Sequence, residues 1–204
     1  MLKKLLLVLA VAVVGLVALV VSRPDSYHVE RAIDVGAPAA TVFAEIDDLR
    51  AWAAWSPWEK RDPAMKKSFG PSTTGVGAHY AWEGNKEVGK GSMTIIESRP
   101  DTRVAQRLEF IEPFKSIAAT AFDLKPAGPA STRVTWSMEG NSNFIGKAFS
   151  LVMDMDKVIG KDFEAGLASL KQIAEAHAVA AAAAAPPTPP APPAPGAPSP
   201  GGTK

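Results

Sequence analysis

The chain of 204 residues contains no cysteine. Disulfide scaffolds, thiol catalysis, cysteine zinc sites and iron–sulfur clusters are therefore excluded. Histidine is scarce: His28, His79 and His177 stand far apart in the sequence. The G-x-S-x-G elbow, the phosphate-binding P-loop and the H-E-x-x-H zinc pattern are all missing. Charge is absent from residues 5 to 21, and all 21 acidic residues fall between Asp25 and Glu175. With Lys3, Lys4 and Lys204 set aside, 19 basic residues face those 21 acids. A nucleic-acid binder needs a basic face to displace counterions from phosphates, and this balance argues against one.

The uncharged head, Leu5 to Val21, consists of Leu, Val, Ala and one Gly. At about 1.5 Å per residue it reaches the lower limit for crossing a hydrocarbon core of roughly 30 Å. Such a run serves as a transmembrane anchor or as a cleaved signal sequence. A cleavage site would need small residues at two positions, and the best pair on offer, Val20 and Ser22, is poor. The run also exceeds the roughly 7 to 15 residues of a signal h-region, which favours an uncleaved anchor over residues 1–22. Lys3 and Lys4 precede it and only Arg23 follows. The positive-inside rule then predicts a single-pass protein of the cytoplasmic membrane with its domain facing outward, in a periplasmic or other extracytoplasmic space.

Nine of the 18 prolines lie after Ala185. Residues 178–204 carry no apolar face to bury and read as a disordered Ala/Pro-rich tail. The alanines before Pro186 are equally able to prolong a preceding helix, since Ala has the best helix propensity.

Residues 23–177 read as one domain. An imperfect strand through Tyr27, Val29, Ala32, Ile33 and Val35 ends at Gly36-Ala37-Pro38. A helix with Val42, Phe43 and Ile46 on one face follows, and then a short helical segment, Leu49 to Trp55, limited by Pro57. Beyond it the period changes to two. Val76, Ala78, Tyr80 and Trp82 take one face, followed by Met93 and Ile95, Val104, Leu108 and Phe110, Ala118, Thr120, Phe122 and Leu124, and Val134, Trp136 and Met138. The opposite faces carry His79, Glu83, Arg103, Arg107, Asp123, Arg133 and Glu139, so His79, Glu83 and Glu139 read as solvent-facing. One wet face and one dry face predict an antiparallel meander. From Asn143 to His177, Val152, Ile159, Phe163, Leu167, Leu170 and Ile173 recur at helical spacing, with Gly160 as a bend. Met153 and Met155 read as core fillers.

The fold class predicted is α+β, a curved antiparallel sheet of about six or seven strands wrapped around a long C-terminal helix, with two short helices after the first strand. This order, together with Val35-Gly36-Ala37-Pro38, Trp52-Ala53-Ala54-Trp55-Ser56-Pro57-Trp58-Glu59, Gly75-Val76-Gly77-Ala78 and Tyr80-Ala81-Trp82-Glu83-Gly84-Asn85, resembles the SRPBCC superfamily. More narrowly it is similar to the polyketide cyclase/dehydrase-like branch, related to the START lipid-transfer domains. Gly89-Lys90-Gly91, Thr132-Arg133-Val134-Thr135-Trp136 and Asp162-Phe163-Glu164-Ala165-Gly166-Leu167 add to the likeness. The resemblance implies a helix-grip domain, a scaffold that serves lipid carriers, receptors, aromatic cyclases and co-chaperone-like proteins alike. It implies no cofactor and supplies no catalytic residue.

A membrane-anchored binder of a hydrophobic small molecule or lipid is the function expected. The ligand would sit between sheet and C-terminal helix, against Tyr80, Trp82, Met93, Leu108, Phe110, Phe122, Trp136 and Phe163. Trp52, Trp55 and Trp58 are candidates for the rim or gate of that cavity, as they are for packing one end of the core. If Trp82 and Trp136 form a cavity wall, replacing either by alanine should harm binding more than folding. Two alternatives remain open: a cyclase or dehydratase, which needs an inward titratable group with a shifted pKa, and a protein-binding module with a filled core. No catalytic residue, metal ligand or protein partner is assigned.

Overall fold

The computed structural model describes residues 1–184. The apolar head forms α1 (Leu2–Val21), which is, among the described residues, the one helix long and apolar enough to cross a membrane. Residues 178–184 continue the last helix, and the remainder of the expected tail lies outside the described residues.

Strand β1 (Ser26–Val35) leads into α2 (Ala39–Asp47), with Pro38 at its N-cap. Three short helices follow β1 rather than two, because Pro57 starts a helical turn instead of ending one. It lies in the first turn of α4 (Pro57–Arg61), just after α3 (Trp52–Trp55). A proline is tolerated there because its missing N–H has no intrahelical acceptor.

The remaining strands are β2 (Lys66–Phe69), β3 (His79–Glu83), β4 (Lys90–Arg99), β5 (Arg103–Glu112), β6 (Ser116–Gly128) and β7 (Ser131–Asn141). They form one curved antiparallel sheet of seven strands in the order β1-β7-β6-β5-β4-β3-β2. β2 has no apolar alternation to announce it. Val76 is not part of the expected strand: Gly75 and Gly77 flank it with φ of 73° and 89°, a left-handed geometry that turns the chain. Val76 is consequently exposed, and the strand begins at His79.

The predicted C-terminal helix is two helices, α5 (Phe144–Phe149) and α6 (Met155–Ala184). Asn143 caps α5 by accepting a hydrogen bond from the Gly146 amide at 2.9 Å. The Asp154 side chain accepts one from the Lys157 amide at 3.3 Å and starts α6 afresh. Both are N-cap arrangements, and a new cap is what breaks a helix here. Val152 and Met153 therefore lie in an exposed connector, not on a buried helical face, and Met155 is only partly buried. Gly160 is no bend. It lies inside continuous α6, and the Arg31 guanidinium of β1 occupies the space where a side chain would stand. Arg31 Nε donates to Glu164 at 2.8 Å and its Nη atoms to the Asp156 carboxylate at 2.9 and 3.0 Å.

The core lies between the sheet and α6. Phe163, Leu167, Leu170 and Ala174 of α6 are buried against inward residues of the sheet. The Trp136 ring lies 4.0 Å from Phe163 and nearly parallel to it, with Phe122 at 4.7 Å on its other face. Gly166 permits this approach: a Cβ there would come within 2.8 Å of the Trp136 ring and 3.1 Å of Pro57. Valine at position 166 should therefore destabilise the fold by about 1 to 3 kcal/mol through overpacking. Chemical denaturation of wild type and Gly166→Val checks this.

The Arg31 pair also gives acid sensitivity a sign. Hydrogen bonding to Arg31 holds the Asp156 carboxyl below the usual carboxylate range. Its contribution is therefore complete above an unfolded pKa of about 3.9 and is lost as pH falls through the lower folded value. The Asp156 carboxylate is exposed and screened by solvent, so the effect is small. Between about pH 4 and pH 2, from the unfolded carboxylate value downward, Asp156→Asn should lose less thermal stability than wild type.

Candidate functional site

α6 packs against β1 and β7 at one end of the sheet. It therefore covers only part of the concave face, and the inward side chains of β3, β4 and β5 face a cavity of about 280 Å³. Parity alone puts large apolar groups there, because alternate residues of a strand share a face. Tyr80 and Trp82 stack at 5.8 Å, and Phe110 meets Trp82 edge-on at 6.0 Å. Met93 and Leu108 are register partners on β4 and β5 and complete that wall. Thr120, Trp136 and Met138 from β6 and β7 lie behind, and Ile159, Asp162 and Phe163 of α6 close the opposite side together with Trp58. The solvent-exposed lining residues are Glu87 after β3 and Glu112-Pro113 at the end of β5, which mark the opening.

Of the eight residues proposed from the sequence for the ligand wall, the cavity touches seven. Phe122 is the exception. It is fully buried behind Trp136 and packs edge-on against Trp52 and Trp55. The three tryptophans of the proposed gate divide by role. Trp58 is half-buried and Trp52 nearly buried, and both border the cavity; Trp55 is fully buried and does not. The Trp52 and Trp55 indoles donate to the carbonyls of Ile46 and Glu45 at 2.9 and 3.0 Å. These carbonyls lie in the last turn of α2, where helical oxygens lack intrahelical partners. The pair thus ties α2 to the core, and only its Trp52 edge reaches the cavity.

Several lining groups carry no periodic signal in the sequence: Ser56, Glu59, Met65, Glu87, Val88 and Pro113. They sit in helical turns and loops. Gln106 was also missed. It occupies an inward position on β5, fully buried, with no protein partner for either polar atom of its carboxamide. His79 is partly buried, with Nδ1 3.0 Å from Thr94 Oγ1. Glu83 and Glu139 are exposed and pair with Lys90 and His28.

The polar chemistry at the cavity is restrained. Tyr80 donates its phenolic O–H to Glu59 at 3.4 Å. Burial pushes the phenol up, and the neighbouring Glu59 charge pushes it further. The phenol therefore stays neutral across the ordinary pH range, a poor base with its proton already engaged. Glu59 is paired with Lys67 at 2.5 Å, and Asp162 with Arg61. Each carboxylate is held by a cation from a neighbouring segment, which braces the wall.

A curved antiparallel sheet gripping a long C-terminal helix defines the helix-grip fold. The chain belongs to the family described as polyketide cyclase / dehydrase and lipid transport, whose model matches residues 26–175. None of the curated proteins matches the chain. Among solved structures it is similar to a hypothetical protein of Helicobacter pylori (16% identity, TM-score 0.57, covering 75% of this chain and 90% of that one). It is similar also to the Zhui aromatase/cyclase of a Streptomyces species (16% identity, TM-score 0.55, covering 74% and 94%). A Thermobifida fusca protein solved by NMR matches at 21% identity and TM-score 0.53, covering 72% and 92%. At these identities the likeness is one of fold.

Trp136 and Trp82 should behave differently on truncation. Trp136 is 2% exposed, stacked on both faces and bonded through its indole to Thr120 at 2.9 Å. Although it borders the cavity, Trp136→Ala should therefore cost about 3 to 5 kcal/mol, the penalty of a full core position. That departs from the milder loss anticipated for a cavity wall. Trp82 is only partly buried, so Trp82→Ala should cost less. Urea unfolding of both variants compares them directly.

Proposed function

We propose that the chain binds a hydrophobic small molecule or lipid in the cavity between β3–β5 and α6. On this reading α1 anchors it in the cytoplasmic membrane, with the domain on the outer side. The observation that carries the reading is the open aromatic cavity itself. Its volume lies near the lower end of the roughly 300 to 1,000 Å³ common for small-molecule sites. Trp82 and Phe110 leave part of their rings free to meet an apolar ligand.

Support for binding over catalysis comes from the polar groups. A cyclase or dehydratase would need an acid or base free to exchange a proton with substrate. Here Tyr80 is neutral, and the carboxylates of Glu59 and Asp162 are ion-paired. The unfilled space likewise speaks for a ligand rather than for a closed-core protein-binding module.

Native mass spectrometry of the full chain extracted from membranes tests the reading. An apolar molecule should co-purify, and Trp82→Ala should lose most of it while remaining folded. Wild-type protein that carries no such molecule and takes up no fluorescent apolar probe would remove the proposal. Orientation is checked separately by reporters fused at the C-terminus: activity of a cytoplasm-only reporter would reverse the assigned topology.

A further inference from the structure

Exposed apolar side chains gather at one place on the domain. Phe144, Ile145 and Phe149 of α5 and Val152 and Met153 of the following connector all stand exposed. Phe114, between β5 and β6, is exposed too, and its ring lies 6.1 Å from that of Phe149. Single apolar residues on a surface are ordinary, but a contiguous group marks contact with a membrane or another protein.

The group adjoins the point where α1 leaves the domain. The last turn of α1 packs on α5, where Val20 is buried. Arg23 donates to the Ser150 carbonyl at 2.9 Å. Lys147 donates to the Val21 carbonyl at 3.4 Å and pairs with Asp25. All of α1 before Val20 is exposed and, past Lys4, uncharged. The exit of α1 is thus fixed to the helix that carries Phe149 and is not a free swivel.

Resting on the reading that α1 crosses a membrane, we propose that Phe114, Phe149, Val152 and Met153 seat the domain in the interfacial layer of that same bilayer. Continuity decides the occupant: a bilayer around α1 necessarily has its surface near the Val20–Val21 end, beside α5. Lys115, exposed next to Phe114, suits the headgroup level. The consequence for the cavity is direct. Glu112 and Pro113 at its opening immediately precede Phe114, and Ile159 on its other side lies one helical turn beyond Met155. The opening therefore borders the lipid-facing surface, and an apolar molecule can pass between bilayer and cavity with little exposure to water.

The absence of cysteine makes the test clean, because each introduced thiol is unique. Full-length Phe114→Cys, Phe149→Cys, Leu9→Cys and Val179→Cys variants carry a nitroxide and are placed in phosphatidylcholine nanodiscs. Collision rates with oxygen and with a water-soluble nickel chelate report depth. Val179 is exposed on α6, about 30 Å along the helix from Ile159, and serves as the aqueous reference. The expected result is a Leu9 label in hydrocarbon, with Phe114 and Phe149 labels showing an oxygen-to-nickel ratio several-fold above that at Val179. Leu9 in hydrocarbon with Phe114 and Phe149 matching Val179 overturns the docking and leaves the anchor standing. An aqueous Leu9 overturns both. Phe114 and Phe149 labels shielded from oxygen and nickel alike would mean a contact between copies of the chain, and would also overturn the proposal.

Discussion

The approach of α6 to the sheet at Gly166 governs the rest of the architecture. A helix and a sheet normally stand apart by the thickness of two side-chain layers. Here one layer is reduced to a hydrogen atom, so the Trp136 ring can slide beneath the helix and stack between Phe163 and Phe122. Around this contact the helix is steered by charge: Arg31 reaches from β1 through the gap at Gly160 to Asp156 and Glu164. The two glycines have different purposes, one admitting a ring and the other a guanidinium. Both draw α6 toward β1 and β7.

A helix held so tightly at one end of a curved sheet leaves the other end uncovered. The cavity follows from that asymmetry. β3, β4 and β5 present the same alternation of large apolar residues as β6 and β7, yet their inward faces meet open volume rather than α6. α3 and α4 bring Trp52, Trp58 and Glu59 to the far wall, and the ion pairs of Glu59 with Lys67 and Asp162 with Arg61 join α4 to β2 and α6. The polar residues at the cavity thus act chiefly as braces.

The parts of this structure that were legible in the sequence are those governed by period. Alternation from Met93 to Met138 fixes which residues share the concave face, and helical spacing over Phe163, Leu167 and Leu170 identifies the gripping helix. Where a local interaction competes with period, the sequence reading fails. Asp154 interrupts an apolar pattern by capping a new helix, and Gly75 and Gly77 remove Val76 from its strand. Pro57 is compatible with either end of a helix, and only packing decides which. The site divides in the same way. Its strand residues follow from parity, whereas Ser56, Glu59, Met65 and Glu87 arrive from turns whose path no periodicity specifies. Gln106 shares the inward phase of Val104 and Leu108, and only its polar carboxamide, ordinarily a mark of the wet face, hid it.

The sheet ends at β2, four residues long with exposed Lys66 and Lys67 on its rim. An edge strand offers unpaired N–H and C=O groups to any other strand of matching length. A second copy of this chain approaching β2 against β2 would bring lysines of both copies together before the backbone could pair, and a four-residue strand offers few hydrogen bonds in return. The same shortness and charge that hid β2 from a periodic reading make this edge of the sheet a poor template for extension. The hydrogen-bonded ladder therefore has little to offer a further strand at this edge.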